Sequence, residues 1–193
     1  KREIKESIVQ GGLYSCYTLW HLVYGMSIEQ IRAHLPTIYS DSLSDYFLNS
    51  NYEAYQLYTL KKLSRTDFQT KITAIVSIIK NGKPLTRSYL LKKMPKALYQ
   101  HPLVVNELYK NYAEFDLNSR TLLIKNLEFS SLTSVLFLVE QLPSFSENQL
   151  KIFLIAVDKM QAKEAIKEQL TAFSKDTTAP YHYIVKDFLA SNK

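Results

Sequence analysis

Apolar and polar positions along this chain alternate at helical rather than strand intervals almost throughout. Leu13, Tyr17, Trp20 and Tyr24 recur every three or four residues, and Phe68, Ile72, Ile75, Val76 and Ile79 repeat the buried stripe of a helix over Asp67 to Lys80. The pattern predicts a short polar helix over Arg2 to Val9, broken at Gly11-Gly12, and then Leu13 to Tyr24, with Gly25 as a left-handed cap. Ile28 to Leu35 follows, stopped by Pro36, with a short helix over Leu43 to Leu48 and another over Tyr52 to Leu63. After Asp67 to Lys80 come Arg87 to Met94, Leu103 to Phe115 behind Pro102, and Leu117 to Leu127 capped by Asp116. Leu132 to Leu142 reads as apolar on nearly all sides and hence central. The chain closes with Glu147 to Met160, Ala162 to Phe173 and Tyr181 to Ala190. The β-branched run Ile72 to Ile79 leaves a strand there as the main structural alternative.

Helix-start signals give a longer rhythm. Ser27 with Gln30, Thr66 with Gln69 and Ser146 with Gln149 each place a hydroxyl three residues ahead of a glutamine, the reciprocal arrangement of a capping box. The intervals are 39 and 80 residues, one and two units of about forty. In length and capping the stretch from Ser27 to Phe173 resembles irregular HEAT-type repeats, which implies an all-α fold of about ten helices stacked as hairpins, an α-solenoid. The whole of residues 1–193 reads as a single helical domain, and the first methionine at Met26 suggests a piece of a longer protein.

Charge changes this picture regionally. Between Lys61 and Lys96 lie ten basic residues and one acid, a net +9, which leaves −3 for the rest of a chain whose formal charge is +6. Such a stretch suits phosphates, an anionic membrane surface or an acidic protein. Lys61, Lys62 and Arg65 share one helical face; Arg87, Lys92 and Lys93 do not extend it. The fourteen tyrosines are the other compositional feature. Most suit gaps between helices, but a series such as Tyr52, Tyr55 and Tyr58 could also line a peptide groove, because tyrosine offers a large contact area at low entropy cost.

Catalytic signatures do not emerge. Cys16 and His21 stand five apart, turned about 140° from each other on a helix, so a buried cysteine and a half-exposed histidine are expected rather than a dyad. His34, His101 and His182 lack ligand spacing, and the pairs Asp41/Asp45 and Glu164/Glu168 read as helix surface. The segment Ser27 to His34 resembles the first helix of a helix-turn-helix, but the acidic segment behind it argues against a recognition helix. No apolar run reaches the roughly 20 residues a membrane span needs. The expectation is therefore a non-enzymatic scaffold or protein-interaction module with a protein or peptide partner, no cofactor and no metal. The alternative is a polyanion- or nucleic-acid-binding domain using residues 61–96. Candidate binding residues are Lys61, Lys62, Arg65, Arg87, Lys92, Lys93, Tyr52 and Tyr55.

Overall fold

A computed structural model describes residues 12–191. Of these, 80% are helical and none lies in a strand. The expected helix at Arg2 to Val9 falls outside the described residues. The strand alternative is resolved in favour of a helix, Ile72–Asn81, which buries Ile72, Ile75, Val76, Ile78 and Ile79. Burial of one helical stripe outweighs the β-branched preference for extended backbone.

Packing divides the chain into Lys1–Tyr46 and Phe47–Lys193. The first unit holds α1 (Gly12–Tyr24), α2 (Met26–Ile38) and most of α3 (Asp41–Leu48), with α1 packed on α2. Gly25 has φ −90° and ψ −176°, so it is extended rather than left-handed, and it caps α2 instead of closing α1. A side chain there would put its Cβ 2.1 Å from the His21 carbonyl oxygen, so the site demands glycine for closeness, not for a positive φ. Pro36 does not stop α2 but sits in its last turn. No residue of α2 is buried, and Tyr14, Tyr17, Trp20 and Tyr24 of α1 are exposed.

The second unit holds α4 (Glu53–Lys62), α5 (Arg65–Thr70), α6 (Ile72–Asn81), α7 (Pro84–Lys93), α8 (Pro102–Val104, running on as a π-type turn over Val105–Tyr109), α9 (Leu117–Lys125), α10 (Leu132–Val139), α11 (Glu147–Lys159), α12 (Lys167–Lys175) and α13 (His182–Ser191). Helices two apart pack together in the middle of the unit, α7 on α9, α9 on α11 and α11 on α13, while α6 meets the Val105–Tyr109 turn and that turn meets α10; at the two ends the consecutive pairs α6/α7 and α12/α13 also pack. Polar contacts follow the same step. Asn118 donates to Ser88, Ser130 to the Tyr99 carbonyl, Gln149 to Thr121 and Lys159 to Glu128, pairs separated by 28 to 31 residues.

Half that step recurs in the caps and in the buried positions. Helix caps fall at His101, Asp116, Ser131 and Ser146, fifteen residues apart. Within each unit the same places are buried: Val104, Ser119, Ser134 and Gln149; then Leu108, Leu123, Leu138 and Phe153; then Tyr112, Leu127, Leu142 and Val157. A short 3-10 turn closes the first three units, at Tyr112–Glu114, Leu127–Phe129 and Leu142–Ser144. The forty-residue interval does not survive, because two of its three boxes are misplaced. Ser146 and Gln149 do form a box. In α5, however, Ser64 is the cap and Asp67 its partner, and Ser27 lies inside α2. Asp67 wins over Gln69 because its carboxylate accepts from the Ser64 N–H at 2.7 Å, and a charged acceptor at a helix start is the stronger one.

Two further expectations need correction. The helix at Leu132 ends at Val139, and it is not buried all round: Ser134, Val135, Leu138 and Val139 face inward, but Leu132 and Leu136 are 46% and 39% exposed. Leu136 thus stands on the open face. The tyrosines divide by position. Tyr99, Tyr109 and Tyr112 are core residues, and the first two donate to the carbonyls of Leu91 (2.7 Å) and Leu123 (3.2 Å). Burial pushes all three phenols up from their ordinary value. The Tyr112 hydroxyl is buried without a hydrogen-bond partner among the described residues.

In urea unfolding, Leu138→Ala is expected to cost about 2–5 kcal/mol, the range for a deleted core leucine, and Leu136→Ala less than about 1 kcal/mol; equal losses would place α10 between two covered faces. Tyr112→Phe removes an unpaired buried hydroxyl and is expected to leave stability unchanged or raised, whereas Tyr99→Phe, which leaves the Leu91 carbonyl only the 3.5 Å contact from Asn126 Nδ2, costs about 1 kcal/mol. A large loss at Tyr112→Phe would show that its hydroxyl has a partner after all.

Candidate interaction groove

The basic stretch from Lys61 to Lys96 is distributed over α4, α5, α6, α7 and the turn behind α7, and its side chains have different fates. Arg87 is a structural clamp. Its Nε donates to the Ile79 carbonyl at 2.6 Å and its Nη2 to the Lys80 and Gly82 carbonyls at 3.1 Å each, so one guanidinium collects the free carbonyls at the end of α6. Its Nη1 reaches Asp116 at 2.7 Å, and the guanidinium carbon lies 5.2 Å from the centre of the Phe115 ring. With a side chain 12% exposed, Arg87 offers little to an outside ligand.

Asp116 in turn caps α9 by accepting from the Ser119 N–H (3.0 Å) and hydroxyl (2.7 Å). Burial pushes this carboxyl up, but the Ser119 donors and Arg87 outweigh it and hold it below the usual carboxylate range. Lys93 is likewise committed. Its Nζ donates to the carbonyls of Leu60 (2.7 Å) and Lys61 (3.0 Å), closing the end of α4 against α7. Lys96 donates to Asn126 Oδ1 and lies 4.4 Å from the Phe129 ring centre.

Lys80 pairs with Glu107 and Lys83 with Glu53, whereas four other cations stay outside. Lys61, Lys62, Arg65 and Lys92 are exposed, with the Lys62 Nζ 5.0 Å from the Tyr58 ring centre. Neither Arg65 nor Lys92 has an ion-pair or hydrogen-bond partner among the described residues. These two meet across a groove of about 760 Å³ that runs between the start of α5 and the end of α7. Its cationic side chains are Arg65, Lys92, Lys93 and Lys96, and no carboxylate lines it. Its floor is apolar: Leu63, Phe68, Met94 and Leu98 are each no more than 9% exposed.

The groove lies where the fifteen-residue spacing is interrupted. From the cap at Lys83 to that at His101 is eighteen residues, and the added length appears as a five-residue 3-10 turn, Lys96–Gln100, where later units have three. Tyr52 and Tyr55 lie at the opposite end of α4. Their ring centres are 5.4 Å apart and Tyr55 stacks on Phe47 at 4.7 Å, so one face of Tyr55 is already covered. The eight sequence-selected residues therefore separate into a clamp (Arg87), a strut (Lys93), an exposed aromatic pair (Tyr52, Tyr55) and cations at or near the groove (Lys61, Lys62, Arg65, Lys92). Sequence reasoning missed Phe68, Met94, Lys96 and Leu98 as groove residues; the signal available was Pro95, which breaks α7 and prolongs the turn.

Elsewhere, Cys16 and His21 are both exposed, contrary to the expected buried cysteine, because α1 leaves nearly all its residues open. Among the described residues no group of three His, Cys, Asp or Glu side chains could hold a metal ion, and no helix is long and apolar enough to cross a membrane. Comparison with protein families, with curated proteins and with solved structures gives no match.

Removing the clamp tests its structural assignment. Arg87→Ala is expected to cost about 2 kcal/mol, because it strips the Ile79, Lys80 and Gly82 carbonyls of a charged donor and leaves the partly exposed Asp116 unpaired. Because the folded state lowers the Asp116 pKa, its contribution is complete above roughly pH 4 and disappears as pH falls through the lowered value. Stability should therefore drop on acidification in the wild type and drop less in Arg87→Ala and Asp116→Asn, read by denaturant unfolding across acidic pH. An unchanged acid slope in both variants would remove Asp116 from the stabilising set.

Proposed function

We propose that residues 47–191 form a stacked helical-repeat scaffold that works as a protein-interaction module rather than as an enzyme. The observation that carries this reading is the recurrence of short helices and of their buried positions at a fixed fifteen-residue step, with alternate helices packed on one another. HEAT-like stacking is part of the proposal on the fifteen-residue spacing of the caps at His101, Asp116, Ser131 and Ser146 in place of the forty-residue interval, with the unit shortened to one helix and one turn. A chain built this way contributes rigid, extended surface, and such surfaces favour peptide or protein partners. The exposed cations near the ends of α4, α5 and α7 support a second reading, a polyanion-binding domain.

Selection of random peptides displayed on phage against the immobilised chain tests the proposal. Enrichment of a consensus is expected, and the matching synthetic peptide should shift a contiguous set of backbone amide resonances within residues 47–191. Failure to enrich any consensus would overturn the interaction reading. Submicromolar oligonucleotide binding at about 150 mM salt, with the steep salt dependence of phosphate contacts, would replace it with the polyanion one.

A further inference from the structure

We infer that the groove between the start of α5 and the end of α7 is a docking site for an acidic peptide segment that also carries apolar side chains. The inference rests on the interaction-module reading and names the partner chemistry for one of its surfaces.

The argument begins with charge. Four cations line the groove and no carboxylate does, so the site is not neutralised from within. In each of the six ion pairs described elsewhere, a lysine or arginine has a carboxylate partner, as Lys80 has Glu107 and Lys159 has Glu128. Lys93 and Lys96 are steered by carbonyl, amide and ring contacts, which fix their ammonium groups without cancelling their charge. Arg65 and Lys92 have no such partners among the described residues. The groove is thus an electropositive concavity with two positioned and two available cations, to which a carboxylate brings both Coulomb energy and a matching acceptor for the arginine fork.

Its shape and floor then choose among anions. A volume of about 760 Å³ lies within the range for ligand clefts, and is larger than a single phosphate or carboxylate needs. The floor offers Leu63, Phe68, Met94 and Leu98, apolar side chains that reward an apolar residue placed between acidic ones. Nucleic acid fits less well. Single strands need a series of rings on which successive bases stack, yet a single aromatic residue, Phe68, lines the groove. A lipid headgroup would satisfy the cations but leave the apolar floor uncovered. A peptide mixing Glu or Asp with Leu, Phe or Met uses both features.

The test uses the full chain and a fluorescein-labelled peptide in which Glu alternates with Leu and Phe, with a Lys-for-Glu peptide and labelled oligothymidylate as comparators. Anisotropy titration is expected to show saturable binding of the acidic peptide alone. The double reversal Arg65→Glu/Lys92→Glu should weaken it at least about tenfold, a change of about 1.4 kcal/mol. The control reversal Lys110→Glu/Lys125→Glu changes net charge equally at exposed positions away from the groove and should leave affinity within about twofold. Both pairs are exposed, so the variants should keep the wild-type melting temperature. Equal weakening by the two reversals would reduce the effect to net charge and overturn the site. So would tighter binding of the oligonucleotide than of the peptide. If phage selection yields a consensus that is not acidic, or one whose amide shifts avoid this groove, the interaction module stands and this inference falls.

Discussion

The second unit depends on one constraint: its helices are too short to stand alone. α9, α10 and α12 have eight or nine residues, below the length at which an isolated helix persists in water. Each therefore has to gain its stability from packing, and the fifteen-residue pattern supplies the means. One unit carries a helix of about two turns and a 3-10 turn, which sends the chain back so that α7, α9 and α11 each pack on the helix two places on. The fully buried row Leu108, Leu123, Leu138 and Phe153 is the apolar spine of that arrangement. Shortening a helix leaves the spine unfilled, and lengthening it delays the return.

Polar groups obey the same geometry. The turns leave carbonyls and N–H groups without helical partners, and these are met by side chains from the unit two steps away. Ser130 donates to the Tyr99 carbonyl, Asn126 Nδ2 to the Leu91 carbonyl, and Gln149 Nε2 to the Leu117 carbonyl while its Oε1 accepts from the Ser146 N–H. Arg87 applies this at the point where α6 ends against α7, where Gly82 admits no side chain because a Cβ would come 2.3 Å from the Ile78 carbonyl oxygen. Its link to Asp116 couples the end of one helix to the start of another, so the clamp contributes to register as well as to stability.

Much of the helical content was readable from spacing, and so were individual caps such as Asp116 and Ser146. The period was not. Capping boxes suggested forty because the hydroxyl–glutamine pattern at Ser27 and Thr66 is common in sequence and carries no proof that the helix begins there. The fifteen-residue period hid because its caps differ chemically, being His101, Asp116, Ser131 and Ser146, and because the helix at Pro102 turns into a π-type segment that blurs its boundary. What repeats is burial, with Ser119, Ser134 and Gln149 at places held elsewhere by Val104, so a hydrophobicity count sees a weaker signal than the packing does. The site was legible to a similar extent. The excess of cations near Lys92 is plain in the sequence, but the loss of Arg87 to Asp116 depends on a partner 29 residues away that only the stacking step brings near.

The same step explains why a groove opens where it does. The inner side of the Lys96–Gln100 turn packs on the Leu127–Phe129 turn. The unit beginning at Lys83 carries three more residues than those after it, and Pro95 forbids their absorption into α7, because a proline there would remove a helical donor and clash with the preceding turn. The surplus is expressed as a longer 3-10 turn, leaving Lys92, Met94 and Leu98 facing the start of α5 across open space. On the other side, α5 is only six residues long and breaks at Lys71, so it cannot extend over the gap. An irregularity that costs the stack some continuity thus coincides with a concavity lined by four cations and no carboxylate.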